Sequence, residues 1–422
     1  MMYQIPFTIS DVADLLSIQR LEGGTEDMFN VECPFCGDAR GKCNFCVMRD
    51  GEIMNVFHCY ECGAGGNMLT LYADLAGIQG EKRYKKAYWQ IEKQIRAGGK
   101  ISRQRQQEQE RRIRKKKEEA AKPVDYTNRH EVYLALIKML RLRERHKDDL
   151  RRRGLSETEI CRMEEKGYKS TDESESKAIA RKLIKQGFRL EGVPGFFINR
   201  EGDWEIAFYW KNRGYLCPVW SEKGLLVAFQ IRLDHPYKKQ KYVWLTSTNM
   251  EKGCSSGSPV GISGNPDVSI IRVTEGILKG EIAYQRSGDT YLGNPGVANY
   301  KELKQALAFL KERGLKEVFE CYDMDKRMPL ECRKDYDSSC CECEYLKDGQ
   351  EIEECPKKRV KRDNIRKGCL KLYEICEELE LNCRRVTWDL GEDGYWLENY
   401  KGIDDWKTRK EQVVYEEIRE AA

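Results

Sequence analysis

The sequence lacks any long hydrophobic run. No stretch approaches the roughly 20 consecutive apolar residues of a transmembrane helix, so we expect no membrane-spanning segment. Residues 1–6 show no basic segment followed by an apolar one, so we expect no secretory signal and predict a cytoplasmic location. The sequence also lacks a GxxxxGK(S/T) phosphate loop and any repeat of fixed period, which argues against a P-loop motor and against a solenoid.

Cysteine, in contrast, is abundant, with 18 among 422 residues. A disulfide scaffold is typical of short secreted chains, and this chain is long and shows no export signal. Several of the cysteines stand in CxxC pairs. The cysteine content therefore favours metal thiolates in a reducing compartment.

Charge is distributed unevenly along the chain, although its net charge is only +4. Residues 100–122 carry ten Lys or Arg against four Glu, and residues 138–153 carry eight against three acids. Such concentrated basic segments on an otherwise acidic body suit a polyanionic partner. Each segment alone is equally consistent with a solvated helix face.

Changes in composition and periodicity predict a multidomain protein of mixed α+β and α/β class. The predicted segments are a cysteine-cluster module at 1–97, a basic linker at 98–124, a helical region at 125–190, a strand-rich region at 191–264, and a strand–helix region at 265–422 with a cysteine-rich insert at 328–369.

Strand and helix patterns alternate from residue 268 onward. This alternation predicts a parallel sheet with helices packed against it. The predicted strands are 268–273, 316–322 and 382–388, and the predicted helices lie near 277–286, 299–313 and 362–381.

Two CxxC knuckles stand near the beginning of the chain. Cys33 and Cys36 form the first, and Cys59 and Cys62 form the second after 22 intervening residues. Each knuckle places two thiolates on one tight turn, so two knuckles complete a closed tetrahedral shell. A shell of four thiolates leaves no position for a substrate. The spacing therefore predicts a structural Zn²⁺ that helps this module to fold.

A third CxxC lies between the two knuckles. Cys43 and Cys46 fall in an alternating, strand-like segment, where residues three apart point to opposite faces and share one metal poorly. We therefore interpret them as ordinary strand residues. His58 stands beside Cys59, and we interpret it as a nucleic-acid contact or a neighbour of the ligands, not as a ligand.

Acidic residues follow two of the predicted strands. Glu275-Gly276 comes after the first, and Asp323-Met324-Asp325 comes after the second. Because ligands bind at the carboxyl ends of parallel strands, these carboxylates can converge across the 47 residues between Glu275 and Asp323. Their oxygens suit Mg²⁺ or Mn²⁺. The alternative interpretation is that they cap strand ends.

The segments around the two knuckles carry a more specific pattern. They are Cys33-Pro34-Phe35-Cys36 and Phe57-His58-Cys59-Tyr60-Glu61-Cys62-Gly63-Ala64-Gly65-Gly66-Asn67. This pattern resembles the zinc-binding domain of bacterial-type DNA primases. Cys36 stands where that family usually has histidine, an exchange that zinc accepts. The resemblance implies a zinc ribbon that engages template DNA.

The acidic segments fit the same family. Glu275-Gly276, the Asp-x-Asp of Asp323 and Asp325, and Lys401-Gly402-Ile403-Asp404-Asp405 each follow a predicted strand. This order resembles the TOPRIM fold of primases, topoisomerases and some nucleases. The resemblance implies that Glu275, Asp323, Asp325 and Asp404 bind the catalytic Mg²⁺ or Mn²⁺.

One position departs from the replicative members of that family. Lys279 stands where they usually have an acid. The EGxLK and KGIDD patterns resemble the primase-like proteins of phages and conjugative elements. If Lys279 faces the site, it would pair with phosphate or with Glu275.

The segment from Gly214 to Tyr242 resembles the amino-terminal half of the primase catalytic core, where basic residues line the groove for template and nucleotide. Arg232 and Lys241 match those positions, and Lys238 and Lys239 lie nearby. A cation beside a triphosphate offsets charge that metals alone leave uncompensated. For Lys238 and Lys239 a solvated turn is the alternative.

The cysteine-rich insert explains why 78 residues separate Asp325 from Asp404, more than a minimal TOPRIM unit needs. We predict a second zinc site in this insert, with an iron–sulfur cluster as the alternative. The candidate ligands are Cys332, Cys340, Cys343 and Cys355.

The resemblances imply a DNA primase that makes short RNA primers on single-stranded DNA from ribonucleoside triphosphates, in the replication of a phage or mobile element. The replicative helicase would be a separate chain. Two alternatives remain. One is a non-catalytic, zinc-dependent DNA-binding replication factor, in which Lys279 marks a lapsed site. The other is a TOPRIM nuclease or topoisomerase-like enzyme.

Overall fold

The computed structural model describes most of the chain. The described residues are 6–22, 24–49, 52–80, 82–96, 121–237, 240–248, 250–334, 336–337, 340, 343, 352–409 and 414–417. Nearly all of the predicted basic linker lies outside them, and so do Lys238 and Lys239. Among the described residues, no helix is long and apolar enough to cross a membrane.

The amino-terminal module is a four-stranded antiparallel sheet with three helices. Its elements are α1 (Ile9–Leu15), β1 (Met28–Val31), β2 (Cys43–Arg49), β3 (Glu52–Cys59), β4 (Gly65–Asn67), α2 (Met68–Leu75) and α3 (Arg83–Arg96). The strands follow the order β1-β2-β3-β4. Phe29, Phe45 and Phe57 form a row of buried rings across β1–β3, with centroids 5.6 and 5.7 Å apart, on which the helices pack.

A helical region follows the amino-terminal module along the chain. Its helices are α4 (Tyr126–Met139), α5 (Glu144–Arg152), α6 (Glu157–Lys166) and α7 (Ser176–Lys185). Ser156 accepts a hydrogen bond from the N–H of Glu159, whose carboxylate accepts from the N–H of Ser156. This capping box starts α6 directly after the turn at Gly154.

An antiparallel sheet packs against α4 and α7. It has the order β10-β9-β8-β5 and consists of β5 (Lys169–Ser170), β8 (Gly214–Trp220), β9 (Leu226–Tyr237) and β10 (Gln240–Trp244). A separate hairpin joins β6 (Phe196–Ile198) to β7 (Trp204–Ile206). The register aligns Tyr215 and Tyr242 with Arg232, so these three residues form one row across the sheet.

The last region contains a six-stranded mixed sheet. Its elements are β11 (Gly261–Ser263), β12 (Ile270–Glu275), α8 (Ile277–Ser287), β13 (Tyr291–Asn294), α9 (Tyr300–Glu312), β14 (Glu317–Glu320), α10 (Pro356–Glu378), β15 (Asn382–Thr387), α11 (Ile403–Arg409) and β16 (Val414–Glu417). The order is β11-β13-β12-β14-β15-β16, in which β13, β12, β14 and β15 are parallel and both edge strands are antiparallel.

Helices cover both faces of this sheet. Apolar residues of α9 and α10, such as Leu307 and Leu372, pack on one face. Trp388 and Trp406 pack on the other. The α5–α6 pair packs against Leu278 of α8 together with the strand β8. This packing brings the antiparallel sheet close to the carboxyl ends of the parallel strands.

Candidate functional site

The two predicted knuckles meet at one point of the amino-terminal module. The Sγ atoms of Cys33, Cys36, Cys59 and Cys62 all lie within 4.8 Å of one another. Hydrogen bonds from the glycine after each knuckle to the first cysteine close the two turns, and both glycines have positive φ, 68° and 72°. The arrangement fits a tetrahedral Zn²⁺ held by four thiolates.

The close approach of the four thiols shifts their pKa values in different directions. Hydrogen bonds, foremost from Cys36, lower the pKa of Cys33 to about 4. Hydrogen bonds, foremost from Cys33, also lower the pKa of Cys59. The pKa values of Cys36 and Cys62 are raised, chiefly by the hydrogen bonds that these thiols donate to Cys33. A bound dication would displace the protons that these thiols share.

Cys43, Cys46 and His58 lie near the four cysteines in the sequence but differ in their contacts. Cys43 is buried opposite Cys59 in the β2–β3 ladder, and a hydrogen bond with Cys33 raises its pKa. It is not one of the four converging ligands. The Cys46 thiol lies 3.7 Å from the carbonyl oxygen of Met48 instead. His58 is exposed, with its ring edge-on to the ring of Tyr60 at 4.6 Å.

A second site forms at the carboxyl edge of the parallel sheet. Glu275 is the last residue of β12, and Asp323 follows β14 by three residues. Asp325 lies in a short 3₁₀ turn, and Asp404 lies in the first turn of α11. A hydrogen bond of 2.9 Å from the N–H of Met324 to the carbonyl of Lys401 joins two of these loops. The four predicted acids therefore share one edge of the sheet.

Lysine side chains occupy the space between these acids. Lys279 Nζ lies 2.5 Å from Asp323 Oδ1. Lys401 Nζ lies 2.6 Å from Asp325 Oδ2 and 3.8 Å from Asp323 Oδ2. Lys361 Nζ lies 3.6 Å from Asp325 Oδ2. Both buried aspartates of the Asp-x-Asp segment are thus charge-compensated by the chain itself.

The fourth acid has a more distant cation. Arg153, at the end of α5, places its guanidinium 4.0 Å from Asp404 Oδ2. Burial raises the pKa of Asp404 to about 6, because this single distant contact and the Lys279 charge do not repay the lost hydration. Burial, together with the charge of Asp323, also raises the pKa of Glu275. The nearby cations therefore compensate only part of the cost of burying these two carboxylates.

The two lysines nearest these acids keep their charge despite burial. Burial pulls the pKa of Lys279 down, but the charges of Asp323, Asp404 and Glu275 outweigh it and raise that pKa. The charges of Asp325 and Asp323 likewise raise the pKa of Lys401, against the effect of burial. Both lysines are therefore firmly charged at neutral pH.

Among the described residues, one carboxylate oxygen of this centre has no hydrogen-bond partner, the buried Asp404 Oδ1. Asp325 Oδ2, in contrast, is ion-paired with Lys401. A Cβ at Gly402 would lie 2.2 Å from Asp404 Oδ1, so glycine is required to leave that oxygen its place. Buried oxygens with unused lone pairs are the donors that Mg²⁺ and Mn²⁺ prefer, and the predicted acids fit such an ion.

The carboxylates nevertheless do not converge as the cysteines do. Across the described ranges, the four cysteines are the one group of three or more such residues whose ligand atoms all approach within 4.8 Å. Metal binding by Glu275, Asp323, Asp325 and Asp404 therefore stays a prediction.

Basic residues of the antiparallel sheet border the acidic centre. Arg232 lies with its guanidinium 5.2 Å from the Tyr242 ring centroid, and its NH1 atom is buried without a hydrogen bond. It also lines a cleft of about 420 Å³ between α5 and β9. Burial and then the charges of Arg232 and Lys401 lower the pKa of Lys241. Lys241 therefore lies close enough to Arg232 and to Lys401 of the acidic centre for their charges to act on it.

The cysteine-rich insert is only partly described. An antiparallel bridge between Glu331 and Glu354 closes its base, close to Cys332 and Cys355. Cys340 Sγ accepts a hydrogen bond of 3.4 Å from the N–H of Asp337, and the N–H of Cys343 donates to the carbonyl of Cys340. In the part of the insert that the structure describes, these cysteines form no group of metal-ligand geometry, and the second zinc site stays a prediction.

Sequence reasoning missed the cations that surround the carboxylates. Lys401 belongs to the KGIDD segment, so its motif was a usable signal, whereas Lys361 lies on α10 without any local pattern. The buried pair of Glu320 and Lys326, 2.7 Å apart directly behind the site, was also missed. Glu320 additionally accepts a hydrogen bond of 2.8 Å from the Tyr373 hydroxyl.

Solved structures similar to this one are DNA primases. The Aquifex aeolicus primase, in its zinc-binding and RNA polymerase domains, is similar at 14% sequence identity with a TM-score of 0.43, over 95% of this chain and 82% of that chain. A DNA primase domain from Pseudomonas aeruginosa is similar at 13% identity with a TM-score of 0.39, over 65% of this chain and 73% of that chain.

The RNA polymerase domain of Mycobacterium tuberculosis primase DnaG is also similar, at 17% identity with a TM-score of 0.37, over 57% of this chain and 83% of that chain. No protein-family model matches the sequence, and no curated protein matches it.

Proposed function

We propose that this chain is a DNA primase of TOPRIM type, which makes short RNA primers on single-stranded DNA from ribonucleoside triphosphates. The observation that carries the proposal is the meeting of four motif acids at the carboxyl edge of a parallel sheet, bordered by Arg232 and Lys241 of a second sheet. Carboxylates and cations at such an edge suit a polyanionic, metal-bound substrate.

Asp404 offers a buried oxygen that has no hydrogen-bond partner among the described residues, so it would be the primary holder of Mg²⁺ or Mn²⁺, with Asp325, Asp323 and Glu275 beside it. The ion, when bound, supplies positive charge that stabilises phosphoryl transfer. Lys279 and Lys401 neutralise Asp323 and Asp325 in the absence of substrate. Both lysines can exchange these carboxylates for phosphate oxygens when a triphosphate enters, which holds the substrate in place.

The remaining basic groups would act on the template and the nucleotide. Arg232 has a buried N–H without an acceptor, at the margin of an open cleft. A phosphate or base oxygen in that cleft would satisfy it. The zinc ribbon, with His58 and Tyr60 exposed beside Cys59, would present the template. The helicase would be a separate chain, and the EGxLK and KGIDD patterns favour replication of a phage or mobile element.

The test is primer synthesis by the full chain on mixed-sequence single-stranded DNA with labelled ribonucleotides and Mg²⁺ or Mn²⁺. We expect short RNA from the wild type and none from Asp323→Asn/Asp325→Asn. Glu312→Gln, an exposed acid on α9, is the matched control and should retain full activity. Cutting or relaxation of the DNA without RNA synthesis would instead support the TOPRIM nuclease or topoisomerase alternative.

One observation favours the non-catalytic replication factor as a second candidate. Each of the three aspartates already has a cation of this chain within 4.0 Å. In that case no template or metal would give a product, and the double variant would bind single-stranded DNA as the wild type does.

A further inference from the structure

Helix α3 presents an aromatic and basic face to solvent. Its inner side is held by the buried residues Ala87 and Ile91. On the opposite, outer side Trp89 is 59% exposed. A large apolar ring at this level of exposure on a stable helix is informative, because single small apolar residues are common on surfaces and tryptophan is usually largely buried.

Unpaired lysines surround the exposed tryptophan. Lys82, Lys85, Lys86, Trp89 and Gln90 line a shallow hollow of about 350 Å³. Within the described part of the chain, none of these three lysines forms an ion pair, whereas the neighbouring Arg83 is paired with Asp74 at 2.7 Å. The hollow therefore offers three free positive charges around one aromatic face.

The tryptophan is also held in a defined orientation. Its ring meets that of Tyr88 edge-on at a centroid distance of 5.9 Å, and Tyr88 in turn packs on Phe7 at 5.6 Å. An aromatic side chain fixed from below and open above is a stacking platform that loses little entropy when a flat ring lies on it.

From this geometry we infer that the outer face of α3 binds single-stranded nucleic acid, with a base stacked on Trp89 and phosphates beside Lys82, Lys85 and Lys86. Base stacking on aromatic rings together with lysine–phosphate contacts is the chemistry of sequence-tolerant single-strand binding. Duplex DNA offers no unstacked base to the ring. The chain continues directly from α3 into the basic residues 100–122, which extends the positive charge along the sequence.

The lining of this surface includes no residue of the acidic centre and neither His58 nor Tyr60 of the zinc ribbon. The inference goes beyond the proposed primer synthesis and does not depend on it. A chain without nucleotidyl transfer would still bind single strands through α3. Loss of activity in an acidic-centre variant and loss of binding in an α3 variant are therefore independent results.

The test is binding of the full chain to fluorescently labelled oligothymidylate, by anisotropy over a range of salt concentrations. Trp89→Ala should weaken binding about tenfold without changing the salt dependence, since stacking releases no counterions. Trp89→Phe should restore most of the affinity. Lys85→Ala/Lys86→Ala should reduce the slope of log K against log salt by about 1.4, or about 0.7 for each phosphate contact of a single strand.

Matched controls come from the other exposed residues of the chain. Trp210→Ala removes a tryptophan that is 72% exposed elsewhere, and Lys182→Ala/Lys185→Ala removes two exposed lysines of α7. Retained zinc content would show that the α3 variants are folded. The inference is overturned if Trp89→Ala binds the oligonucleotide as tightly as the wild type, or if it loses no more affinity than Trp210→Ala. It is also overturned if Trp89→Ala weakens the binding of single-stranded and of duplex DNA equally.

Discussion

The sulfur cluster and the carboxylate centre collect charged ligand atoms in opposite ways. Four cysteine sulfurs converge within 4.8 Å, and every one of them belongs to the same closed shell. At the edge of the parallel sheet, four acids share a region but are held apart by Lys279 and Lys401. The first arrangement suits a permanently bound structural metal. The second suits ions and phosphates that bind and dissociate.

The difference follows from local chain geometry. A CxxC turn fixes two sulfurs close together whatever the rest of the fold does, and two such turns need only one sheet to meet. The acids instead come from the ends of three different elements, so only the packing of the whole sheet sets their distances. Like charges at those positions repel unless cations separate them, and the lysines serve that purpose.

Breaking the sulfur shell should have the largest effect. Cys59→Ser removes one thiolate, and a structural Zn²⁺ contributes about 10–16 kcal/mol of apparent binding free energy to such small modules. We expect the purified variant to hold one zinc fewer per chain than the wild type and residues 6–96 to become protease-sensitive. Metal analysis and limited proteolysis measure both. Cys43→Ala and Cys161→Ser should keep the zinc content of the wild type, and an unchanged zinc content in Cys59→Ser would contradict the closed shell.

Behind the carboxylate centre, the buried pair of Glu320 and Lys326 should prove structural. Lys326→Met removes the nearest cation from the buried Glu320 carboxylate and leaves it Arg385, at 3.8 Å, which should lower the free energy of unfolding by about 3–5 kcal/mol. The exposed pair of Lys304 and Glu378 is the matched control, and Lys304→Met should cost less than about 1 kcal/mol. Urea unfolding compares the two. Equal costs would show that burial does not distinguish these pairs.

Asp404→Asn should stabilise the fold at neutral pH. The folded-state pKa of Asp404 is about 6, above its ordinary 3.8, so the neutral form is favoured by folding. Its contribution to stability is fully present below pH 3.8 and is lost as pH rises through about 6.

The wild type therefore loses roughly 3 kcal/mol of folding stability when Asp404 ionises. The asparagine variant cannot ionise and should keep this stability at pH 7.5. Urea unfolding at pH 5.0 and pH 7.5, in buffer without added divalent ions, measures the difference between variant and wild type. The gain should shrink toward low pH. A variant less stable than the wild type at pH 7.5 would show that Asp404 is compensated in the folded state.

The smallest of the expected effects is that of Lys279→Ala on metal binding at the carboxylate centre. Removing this cation frees Asp323 Oδ1 to bind an ion and leaves Asp323 only the more distant Lys401, so Mn²⁺ affinity in the zinc-loaded chain should rise about tenfold, equivalent to about 1.4 kcal/mol. Equilibrium dialysis measures this affinity. Lys371→Ala, which removes an exposed lysine paired with Glu374, should leave it unchanged. Weaker Mn²⁺ binding by Lys279→Ala would mean that the lysine organises the site.

The parts of this structure that depend on local spacing could be predicted from the sequence. The two knuckles, the strands at 270–275, 317–320 and 382–387, and the acids at their ends all follow from short patterns. The parallel strand β13 was missed, because Tyr291–Asn294 spans four residues, includes a glycine and shows no alternation. Whole-chain packing determines what local patterns could not predict.

The charge partners belong to that second group. Arg153, Lys361 and Lys401 reach the aspartates from three elements far apart in sequence. A lysine on a solvated helix and a lysine aimed at a buried carboxylate have the same local sequence signature. Lys279 was singled out by its departure from a motif, and the structure pairs it with Asp323. Its expected partners were phosphate and Glu275.

Extension of an RNA primer already annealed to a DNA template tests the central claim most directly, because it does not require the initiation sequence. The zinc-loaded wild type and Asp323→Asn, with equal affinity for single-stranded DNA, would be given one labelled ribonucleotide and Mg²⁺ or Mn²⁺. We expect the wild type to add the templated nucleotide and Asp323→Asn not to add it. Equal extension by both, or by neither, would contradict a nucleotidyl-transfer centre at the edge of the parallel sheet.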